Sequence, residues 1–461
     1  MTRLLCAALL ALAASLPAAA REAPPPPGEP RDFVLPGRET VQLGNGLAIT
    51  FIDFGPVPKV TLLAAIRTGS IDEGEDTWLA SLTAEMLKEG TTSRSGAELA
   101  RGAAEMGGSL FSGAGAEQVT VGLSVLSERA GEAAELLAEV LRRPLLPASE
   151  LPRIRASYER RLAVAKSDPG SLAGEALAEL AWGEHPFGRA FPTEERLGSY
   201  TIDDVRRFHA DNYGARRTHV YVAGRYDRGA LEAALRRAFE GWAPGPEPTS
   251  NPPVLRRGPA VRFVDRPDAP QSTLLLALPA PDPSHPDWMP FSLMNTLLGG
   301  SFSSRITSNI REDKGYTYSP DSSVSASRRA AMWVQEADVT TADTAAALRE
   351  IFAEIRRLAA EAPPAAELAQ TQNYRAGLFV VQNSSPNGVL GQLAFLDLHG
   401  LPQDYLTRWV GNLFAITPAQ VSAMAARWLD LGQLNLVVVG DLAKVESGVR
   451  ALPELAQAED R

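Results

Sequence analysis

The chain is predicted to be an α+β protein, a tandem repeat of two homologous α+β domains that each contain a mixed sheet with packed helices. Three observations predict this class. At 461 residues the chain is longer than one ordinary hydrophobic core holds. Short segments recur at a near-constant spacing between its halves. Strand-like and helix-like stretches are mixed without strict alternation, which favours α+β over a parallel α/β sheet.

The recurring segments define the repeat. Three segments return in the same order, two of them at an offset of 216 residues and the first at 212: Phe51-Ile52-Asp53 as Phe263-Val264-Asp265, 201–205 as 417–421, and 220–224 as 436–440. One such match could arise by chance. Three in order indicate two copies of a unit of about 200 residues.

Hydrophobic periodicity and turn residues predict the elements of the first copy. In chain order they are strands within 41–54 with Asn45-Gly46 as a hairpin turn, a strand over 60–67, a helix over 78–90, an edge strand over 110–114, a strand over 118–126, helices over 130–142 and 150–166, and a terminal apolar strand after 205–211. The second copy is expected to repeat this order.

Residues 1–20 have the features of a secretory signal peptide. Arg3 supplies the positive charge, residues 4–12 form the apolar region, and Ala18-Ala19-Ala20 suits cleavage after small residues. Cleavage near Ala20 predicts an exported, periplasmic protein without cysteine, because the single cysteine of the chain is Cys6. The alternative is an uncleaved anchor helix, which the short apolar region disfavours.

Composition excludes several classes of function. A net charge of −10 without a basic stripe argues against nucleic-acid binding. No later stretch has the eighteen or more apolar residues of a membrane span, so none is expected in the mature chain. A mature chain without cysteine has no disulfides, thiolate metal sites or cysteine nucleophiles. Phosphate-binding glycine motifs and a Gly-x-Ser-x-Gly elbow are also absent from the sequence.

Proline-rich stretches set the predicted domain boundaries. Residues 21–36 form a proline-rich tail, and residues 242–258 form a proline-rich, semi-rigid linker. An N-terminal domain over 37–241 and a C-terminal domain over 259–461 are therefore expected.

The most informative motif lies at 78–91 and reads Trp-Leu-Ala-Ser-Leu-Thr-Ala-Glu-Met-Leu-Lys-Glu-Gly-Thr. Gly69-Ser70-Ile71-Asp72-Glu73 precedes it. This frame resembles the pitrilysin/insulinase family of inverted-motif zinc peptidases, whose helix carries Leu-Ala-His-x-x-Glu-His-Met before Gly-Thr and after a Gly-Ser-x-x-Glu segment. The resemblance extends over nearly the whole mature chain. It implies two homologous domains that face each other like a clamshell.

The residues that perform zinc chemistry in that family are missing. Ser81 stands in place of the first histidine, Ala84 in place of the glutamate base and Glu85 in place of the second histidine. The third family ligand, a glutamate, aligns with Arg161, and Glu159 is the nearest carboxylate. Whether these positions are an emptied site or ordinary helix residues, the resemblance implies no zinc, no other cofactor and no peptide hydrolysis by this chain alone.

The histidines give no substitute metal site. The five histidines are His185, His209, His219, His285 and His399, and no two lie three to five residues apart. No helix face can therefore present a histidine pair. His185 matches a family turn and is predicted to be structural, while His209 and His219 are predicted to lie at the surface or the edge of the core.

A second family segment is retained in the C-terminal copy. It contains Gly299, Gly300, then Arg311 and Tyr318 seven residues apart. In active relatives this arginine and tyrosine reach the substrate backbone near the zinc, and a guanidinium and a phenol can hold a carbonyl and its developing oxyanion. The two glycines are predicted to let the loop approach a peptide or partner. The alternatives are that Arg311 caps its helix, Tyr318 packs in a strand and the glycines interrupt a helix.

The combined pattern predicts a non-catalytic subunit of an exported heterodimeric zinc metalloendopeptidase. Its expected partners are a zinc-bearing paralogous subunit and an extended peptide substrate, which the edge strand over 110–114 can bind by backbone pairing. The first alternative is a scaffold or binding protein of the same fold without a proteolytic partner. The second is an active peptidase with an unfamiliar site.

Overall fold

The computed structural model describes residues 33–460. The predicted signal peptide, with Cys6 and the cleavage position near Ala20, and most of the proline-rich tail lie outside the described residues. Across this described part, no helix combines the length and the apolar character that crossing a membrane requires.

The described strands form two six-stranded mixed sheets. The first sheet contains β1 (Arg38–Gln42), β2 (Ala48–Asp53), β3 (Lys59–Ile66), β4 (Leu110–Ala114), β5 (Val119–Leu126) and β6 (Thr218–Gly224). The second contains β7 (Ala260–Asp265), β8 (Gln271–Ala280), β9 (Asp321–Ser327), β10 (Ala330–Thr340), β11 (Asn435–Gly440) and β12 (Glu459–Asp460). Their strand orders are β1-β2-β6-β3-β5-β4 and β12-β7-β11-β8-β10-β9.

The two sheets share one topology at five of their six positions. β2 and β7 each pair in parallel with the last central strand of their half, and the other three shared pairings are antiparallel. The repeated sequence segments occupy equivalent places, with Phe51 in β2 and Phe263 in β7. The predicted class, two homologous α+β domains with mixed sheets, is confirmed.

Helices surround both sheets. In the first half they are α1 (Leu79–Met86), α2 (Gly96–Glu105), α3 (Ala130–Arg142), α4 (Leu151–Ser167), α5 (Pro169–Trp182), α6 (Glu194–Ser199), α7 (Ile202–Asn212) and α8 (Arg228–Phe239). In the second half they are α9 (Trp288–Leu298), α10 (Thr344–Ala360), α11 (Ala365–Gln382), α12 (Pro386–His399), α13 (Tyr405–Phe414), α14 (Pro418–Trp428) and α15 (Leu442–Arg450). A helical turn, Arg305–Thr307, continues directly into a π-helix, Ser308–Asp313.

One helix of each half packs against the sheet of the other half. Along β3, Leu62, Ala64 and Ile66 face the core of the first half, whereas the alternate residues Leu63 and Ala65 join the core that contains α12. This is the two-residue period of a strand whose two faces are both covered. In the second sheet, alternate residues of β8 and β11 pack instead against α5. The two halves therefore complete each other's cores.

The segment between the halves is irregular but attached to both. Residues 243–258 contain neither helix nor strand. The amide of Arg256 donates to the carbonyl of Ala181 at 2.8 Å, and the side-chain amide of Asn435 donates to the carbonyl of Arg256 at 2.8 Å. The predicted proline-rich linker falls on this segment.

Candidate functional site

Helix α1 is positioned by a buried carboxylate. Trp78, directly before the helix, has a positive φ of 73°, which turns the chain into α1. The Glu73 carboxylate accepts hydrogen bonds from the amides of Trp78 at 3.1 Å and Ala80 at 2.8 Å, and so satisfies amides that the helix leaves unpaired. Burial raises the pKa of Glu73 to about 7, against the opposing effects of these two amides and of Arg189.

The three substituted positions of the zinc motif lie along α1. Ser81 is half-buried and lines a cavity described below. Ala84 is buried, and its carbonyl accepts a hydrogen bond from the Ser112 hydroxyl of β4 at 2.7 Å. Glu85 pairs with Lys88 one turn further on, at 2.9 Å. The motif helix therefore keeps its place in the fold while its side chains make ordinary contacts.

Arg161 lies on α4, the helix beside α1. Its guanidinium carbon is 4.7 Å from the centre of the Tyr158 ring, and that ring packs edge-on against Trp78 at 5.9 Å. Burial raises the pKa of Tyr158, and Arg161, Glu85 and Glu73 all act on it electrostatically. Arg161 thus contacts Tyr158, whose pKa Glu85 also influences, and the alignment of these two residues with family zinc ligands stays a prediction.

These residues do not fit a zinc ion. An alanine and an arginine offer no ligand, a serine hydroxyl is a poor one, and the carboxylate of Glu85 is engaged by Lys88. The exposed guanidinium of Arg161 adds a repelling charge. Among residues 33–460, no group of three or more histidine, cysteine, aspartate or glutamate side chains is arranged to hold a metal ion.

A cavity of about 480 Å³ separates α1 from the second half of the molecule. Its first-half wall includes Ser81, Trp78 and Trp182, and its second-half wall includes Ser325 of β9 and Met332 of β10. At its rim the amide of Arg328 donates to the Glu117 carboxylate at 2.7 Å, which ties the β9–β10 turn to the first half. Ser81 of α1 thus faces a cleft lined by polar and aromatic side chains, whereas Glu85 does not line it.

The retained segment forms an exposed stack of one guanidinium and two rings. The guanidinium carbon of Arg311, in the π-helix, lies 4.5 Å from the ring centre of Phe302 and 4.8 Å from that of Tyr318. Phe302 is 68% exposed and Tyr318 78% exposed, so neither ring is packed into the core. Glu312 pairs with Arg311 at 3.1 Å. Arg311 is therefore held by its neighbours while its aromatic partners remain open to another molecule.

Backbone contacts fix this stack on the sheet. The amide of Tyr316 donates to the carbonyl of Ile310 at 2.9 Å, and Thr317 forms an isolated bridge with Val339 of β10. Asn309 in the π-helix donates to Glu354 of α10 at 2.8 Å. A π-helix is an uncommon element that is frequent at functional sites.

Gly299 and Gly300 bring their loop close to the second sheet. A Cβ atom on Gly299 would lie 2.5 Å from the Ser322 hydroxyl and 2.7 Å from the Gln335 side chain. One on Gly300 would lie 2.7 Å from the side-chain nitrogen of Asn295. Both positions therefore require glycine because of the chain's own packing. Contact of these glycines with a peptide or partner stays a prediction.

The structure does not bring the two predicted sites together. The cavity beside α1 reaches Met332, near the start of β10, whereas Thr317 pairs with Val339, near its end. Seven residues of extended strand separate these positions by about 23 Å. The strand contact that holds the Tyr318 segment is therefore seven residues along β10 from the cavity that Ser81 lines.

The histidines are dispersed among structural contacts. His185 bonds the carbonyl of Asn251 at 3.0 Å and the amide of Phe187 at 3.2 Å, as a structural role predicts. His209 bonds the carbonyl of Leu141 at 3.0 Å, and burial lowers its pKa to about 4. His219 lies 2.9 Å from Asp397 of α12, and so links the first sheet to the helix of the second half that packs on it.

Sequence reasoning missed Glu73, Tyr158 and Phe302 as parts of these sites. Glu73 lies in the Gly-Ser-x-x-Glu frame, but its role depends on where its carboxylate meets the helix amides. Phe302 could have been found from the sequence, because it is a large aromatic residue in a glycine- and serine-rich loop that no helix or strand pattern assigns to the core. Tyr158 gave no signal beyond an apolar position on a helix.

Two family models match the chain. Insulinase (peptidase family M16) matches residues 53–193, and peptidase M16 inactive domain matches residues 199–374. Together they cover about two thirds of the sequence, and the second match begins in the first half and extends into the second. The chain belongs to the insulinase family of peptidases.

Curated relatives are distant. The chain is 27% identical over 284 residues to an uncharacterized zinc protease of Mycobacterium leprae, a match that covers 60% of this chain and 63% of that protein. It is 25% identical over 281 residues to the uncharacterized zinc protease YmxG of Bacillus subtilis, covering 60% of this chain and 67% of the relative. The chain thus matches slightly less than two thirds of the length of the first protein.

Solved structures match over more of the chain. A peptidase M16 inactive domain from Pseudomonas fluorescens has a TM-score of 0.81 at 25% identity, covering 87% of this chain and 98% of that one. A protease from Helicobacter pylori has a TM-score of 0.80 at 18% identity, covering 88% and 100%. A chain of complex III from Candida albicans has a TM-score of 0.74 at 15% identity, covering 89% and 99%. The last two similarities show the fold alone.

Proposed function

We propose that this protein is the non-catalytic subunit of an exported, periplasmic heterodimeric zinc metalloendopeptidase. The observation that carries this proposal is the separation of its two sites. The Arg311 stack is retained and exposed, yet its sheet contact at Val339 lies about 23 Å along β10 from Met332, which lines the cavity beside the substituted motif helix. A substrate-binding group placed so far from its own site is suited to serve a site on another chain.

The stack has the chemistry to hold a peptide backbone. A guanidinium presents several donors in a fixed plane, and the rings of Phe302 and Tyr318 restrict where that plane points. The exposed phenol of Tyr318 adds a second donor. Two preorganised donors can bind a peptide carbonyl and stabilise negative charge that develops on its oxygen. Metal chemistry, in this proposal, belongs entirely to the partner subunit.

Strand β4 offers a second way to bind an extended peptide. It pairs with β5 on one side and lies at the edge of the first sheet. Its Ser112 side chain contacts α1, and its far end borders the cavity at Ala114. A peptide added to this edge by backbone hydrogen bonds would run along the wall of the chamber that the two subunits enclose.

The similarity to the inactive M16 domain of Pseudomonas fluorescens supports a non-catalytic role, whereas the curated relatives carry the name zinc protease. The substituted residues Ser81, Ala84, Glu85 and Arg161 favour a non-catalytic role for the present chain, because they cannot complete a zinc ligand set. We expect the purified chain to retain less than one tenth of an equivalent of zinc after dialysis and to cleave no unstructured peptide.

Isolation of the native protein tests the proposal most directly. A family-related chain with an intact zinc helix should co-purify with it, and recombination of the two chains should raise peptidase activity above that of either alone. A partner that is fully active alone and does not associate at micromolar concentration would refute the subunit role. One equivalent of zinc per chain with chelator-sensitive turnover would instead support an active peptidase with an unfamiliar site.

A scaffold role without proteolysis is the second candidate. The similarity to a chain of Candida albicans complex III motivates it, since that protein shows this fold within a larger assembly. Under this alternative the native chain would co-purify with proteins that lack a zinc helix, and no recombined mixture would cleave peptides.

A further inference from the structure

A small pocket lies among the helices of the second half, apart from both regions described above. It has a volume of about 150 Å³ and lies between α9, α11, α12 and α13. Its walls are largely aromatic and include Trp288, Phe379, Phe395, Tyr405 and Trp409. The rings of Phe379 and Trp409 stack at 4.2 Å and 4°, so one wall is a flat aromatic surface.

One cation, Arg375 of α11, lines this pocket without a counter-ion. Its terminal nitrogen donates to the Ser292 hydroxyl at 3.1 Å, and its Nε is buried without a hydrogen-bond partner among residues 33–460. None of the aspartates and glutamates in the described part of the chain lines the pocket. Burial lowers the pKa of Arg375, and the groups that act on it electrostatically are Tyr374 and Tyr405.

An arginine in this setting is unusual for a purely structural residue. A guanidinium carries five donors and stays charged in proteins. Removing that charge from water is unfavourable unless an anion pairs with it. Arg305, another partly buried arginine of the second half, shows the ordinary solution, because it makes a two-pronged contact with Glu367 at 2.8 Å. Arg375 makes no such contact with any described residue.

We propose that this pocket binds a carboxylate carried on a small aromatic or other apolar group. The planar guanidinium of Arg375 matches the two oxygens of a carboxylate, and the rings cover the apolar body. The amides of Gln382 and Gln392, also on the pocket wall, add neutral donors. A single cation among aromatic walls favours a monoanion over phosphate. The proposal stands independently of the subunit role.

A free carboxylic acid and the C-terminus of a peptide present the same chemistry, and calorimetric titration of the full chain can separate them. The probes are 3-phenylpropanoate, N-acetylphenylalanine, the amide of each and inorganic phosphate. Both carboxylates should bind, and each amide should bind at least tenfold more weakly. Tighter binding of N-acetylphenylalanine would identify a peptide terminus as the ligand, and tighter binding of 3-phenylpropanoate a free acid.

Two matched variants test the role of Arg375. Arg375→Met should weaken carboxylate binding at least tenfold and leave the melting temperature unchanged or higher, because it removes a charge without a partner. Arg408→Met is the control, since Arg408 lies on α13 with Tyr405 and Trp409, is 70% exposed and pairs with Asp404. It should bind the carboxylates as the unaltered chain does.

Three results would overturn the proposal. They are no carboxylate binding at millimolar concentration, equal binding of acid and amide, and displacement of the carboxylate by phosphate at equal concentration. The comparison of acid with amide uses the unaltered chain, so it remains decisive if Arg375→Met does not fold. Retained affinity in a folded Arg375→Met protein would equally exclude the assigned role.

Discussion

Tyr318 places a phenol at the surface while its ring lies against Arg311 at 4.8 Å. In the assembled pair we expect Tyr318→Phe to lower turnover by on the order of 10²–10³, the usual effect of losing one oxyanion donor. The ring and its contact with Arg311 persist in this variant, so a large effect cannot be ascribed to lost packing. Steady-state kinetics of the purified pair provide the measurement.

The exposed Tyr374 supplies the control for this experiment. It is 47% exposed and lies on α11, outside the stack, so Tyr374→Phe should leave turnover unchanged. If the partner carries its own arginine and tyrosine for the chemical step, Tyr318→Phe should raise KM instead of lowering kcat. Unchanged kinetics in a pair shown intact by size exclusion would mean that Tyr318 is not part of the site.

Glu73 makes the stability of the protein depend on pH. Its pKa rises from 4.5 to about 7 on folding because burial disfavours the charged form. Stability from this residue is therefore fully present below pH 4.5 and is lost as the pH rises through about 7. At about 1.4 kcal/mol per pKa unit, the loss is at most about 3.5 kcal/mol.

Melting temperatures of Glu73→Gln and the unaltered protein test this dependence. The difference, variant minus unaltered, should increase between pH 5 and pH 8, because glutamine stays neutral in that range. Glu75→Gln is the control, since Glu75 is exposed two residues away. A difference that is constant with pH would show that Glu73 does not titrate in this range.

For single residues, the sequence predicted which side chains belong to a site better than it predicted what those side chains contact. Ser81, Ala84, Glu85 and Arg161 could be assigned because a family frame fixes their register, and this assignment stays a prediction. In the structure Arg161 lies beside the Tyr158 ring. The unpaired state of Arg375 could not be predicted, because it depends on which carboxylates reach a pocket built from four separate helices.

Two helices at equivalent positions of the repeat begin with the same capping arrangement. The hydroxyl of Thr201 accepts from the amide of Asp204 at 3.3 Å, and that of Thr417 accepts from the amide of Gln420 at 3.3 Å. In turn, the side-chain oxygen of Asp204 or Gln420 accepts a hydrogen bond from the backbone amide of the threonine at 2.8 Å. The two copies of the repeat thus share helix N-caps as well as strands.

We expect Thr201→Ala and Thr417→Ala each to lower the free energy of unfolding by about 1 kcal/mol, because each removes a helix cap. Thr201→Ser and Thr417→Ser retain the hydroxyl and should cost much less. Urea denaturation of the four variants gives the values. A similar loss for serine and alanine would assign the effect to the threonine methyl group instead of the cap.

Elements with strong local signals were predicted to the residue. Ala130–Arg142 is amphipathic and forms α3 over the predicted range, and Leu110–Ala114 forms the predicted edge strand β4. The packing of α5 on the second sheet and of α12 on the first sheet was not predicted. The continuous burial of β11 indicates a strand covered on both faces, but no local pattern identifies which distant helix supplies the second cover.

The whole molecule should unfold as one unit, because α5 packs on the second sheet and α12 packs on the first. Without the second half, the face of the first sheet that carries Leu63, Ala65 and Tyr221 would lose α12, and α5 would lose the sheet on which Ala173 and Leu177 pack. Both changes would expose apolar surface to water at about 25 cal/mol per Å². His219 would also lose its contact with Asp397.

We therefore expect the full chain to show a single calorimetric transition, with equal van't Hoff and calorimetric enthalpies.

A fragment of residues 37–241, the predicted N-terminal domain, should lack a cooperative transition and should bind a hydrophobic dye, because its sheet keeps an uncovered apolar face. A longer fragment of residues 33–461, in which Phe33 and Leu35 keep their contacts with the core of the second half, controls for loss of the preceding residues and should melt like the full chain. Two separate transitions in the full chain, or a cooperative transition in the 37–241 fragment, would mean that each half is stable without the helix of the other. In that case the halves could separate as rigid bodies and the cavity beside α1 could open widely; a single transition instead requires any motion of the two halves to keep α5 and α12 in place.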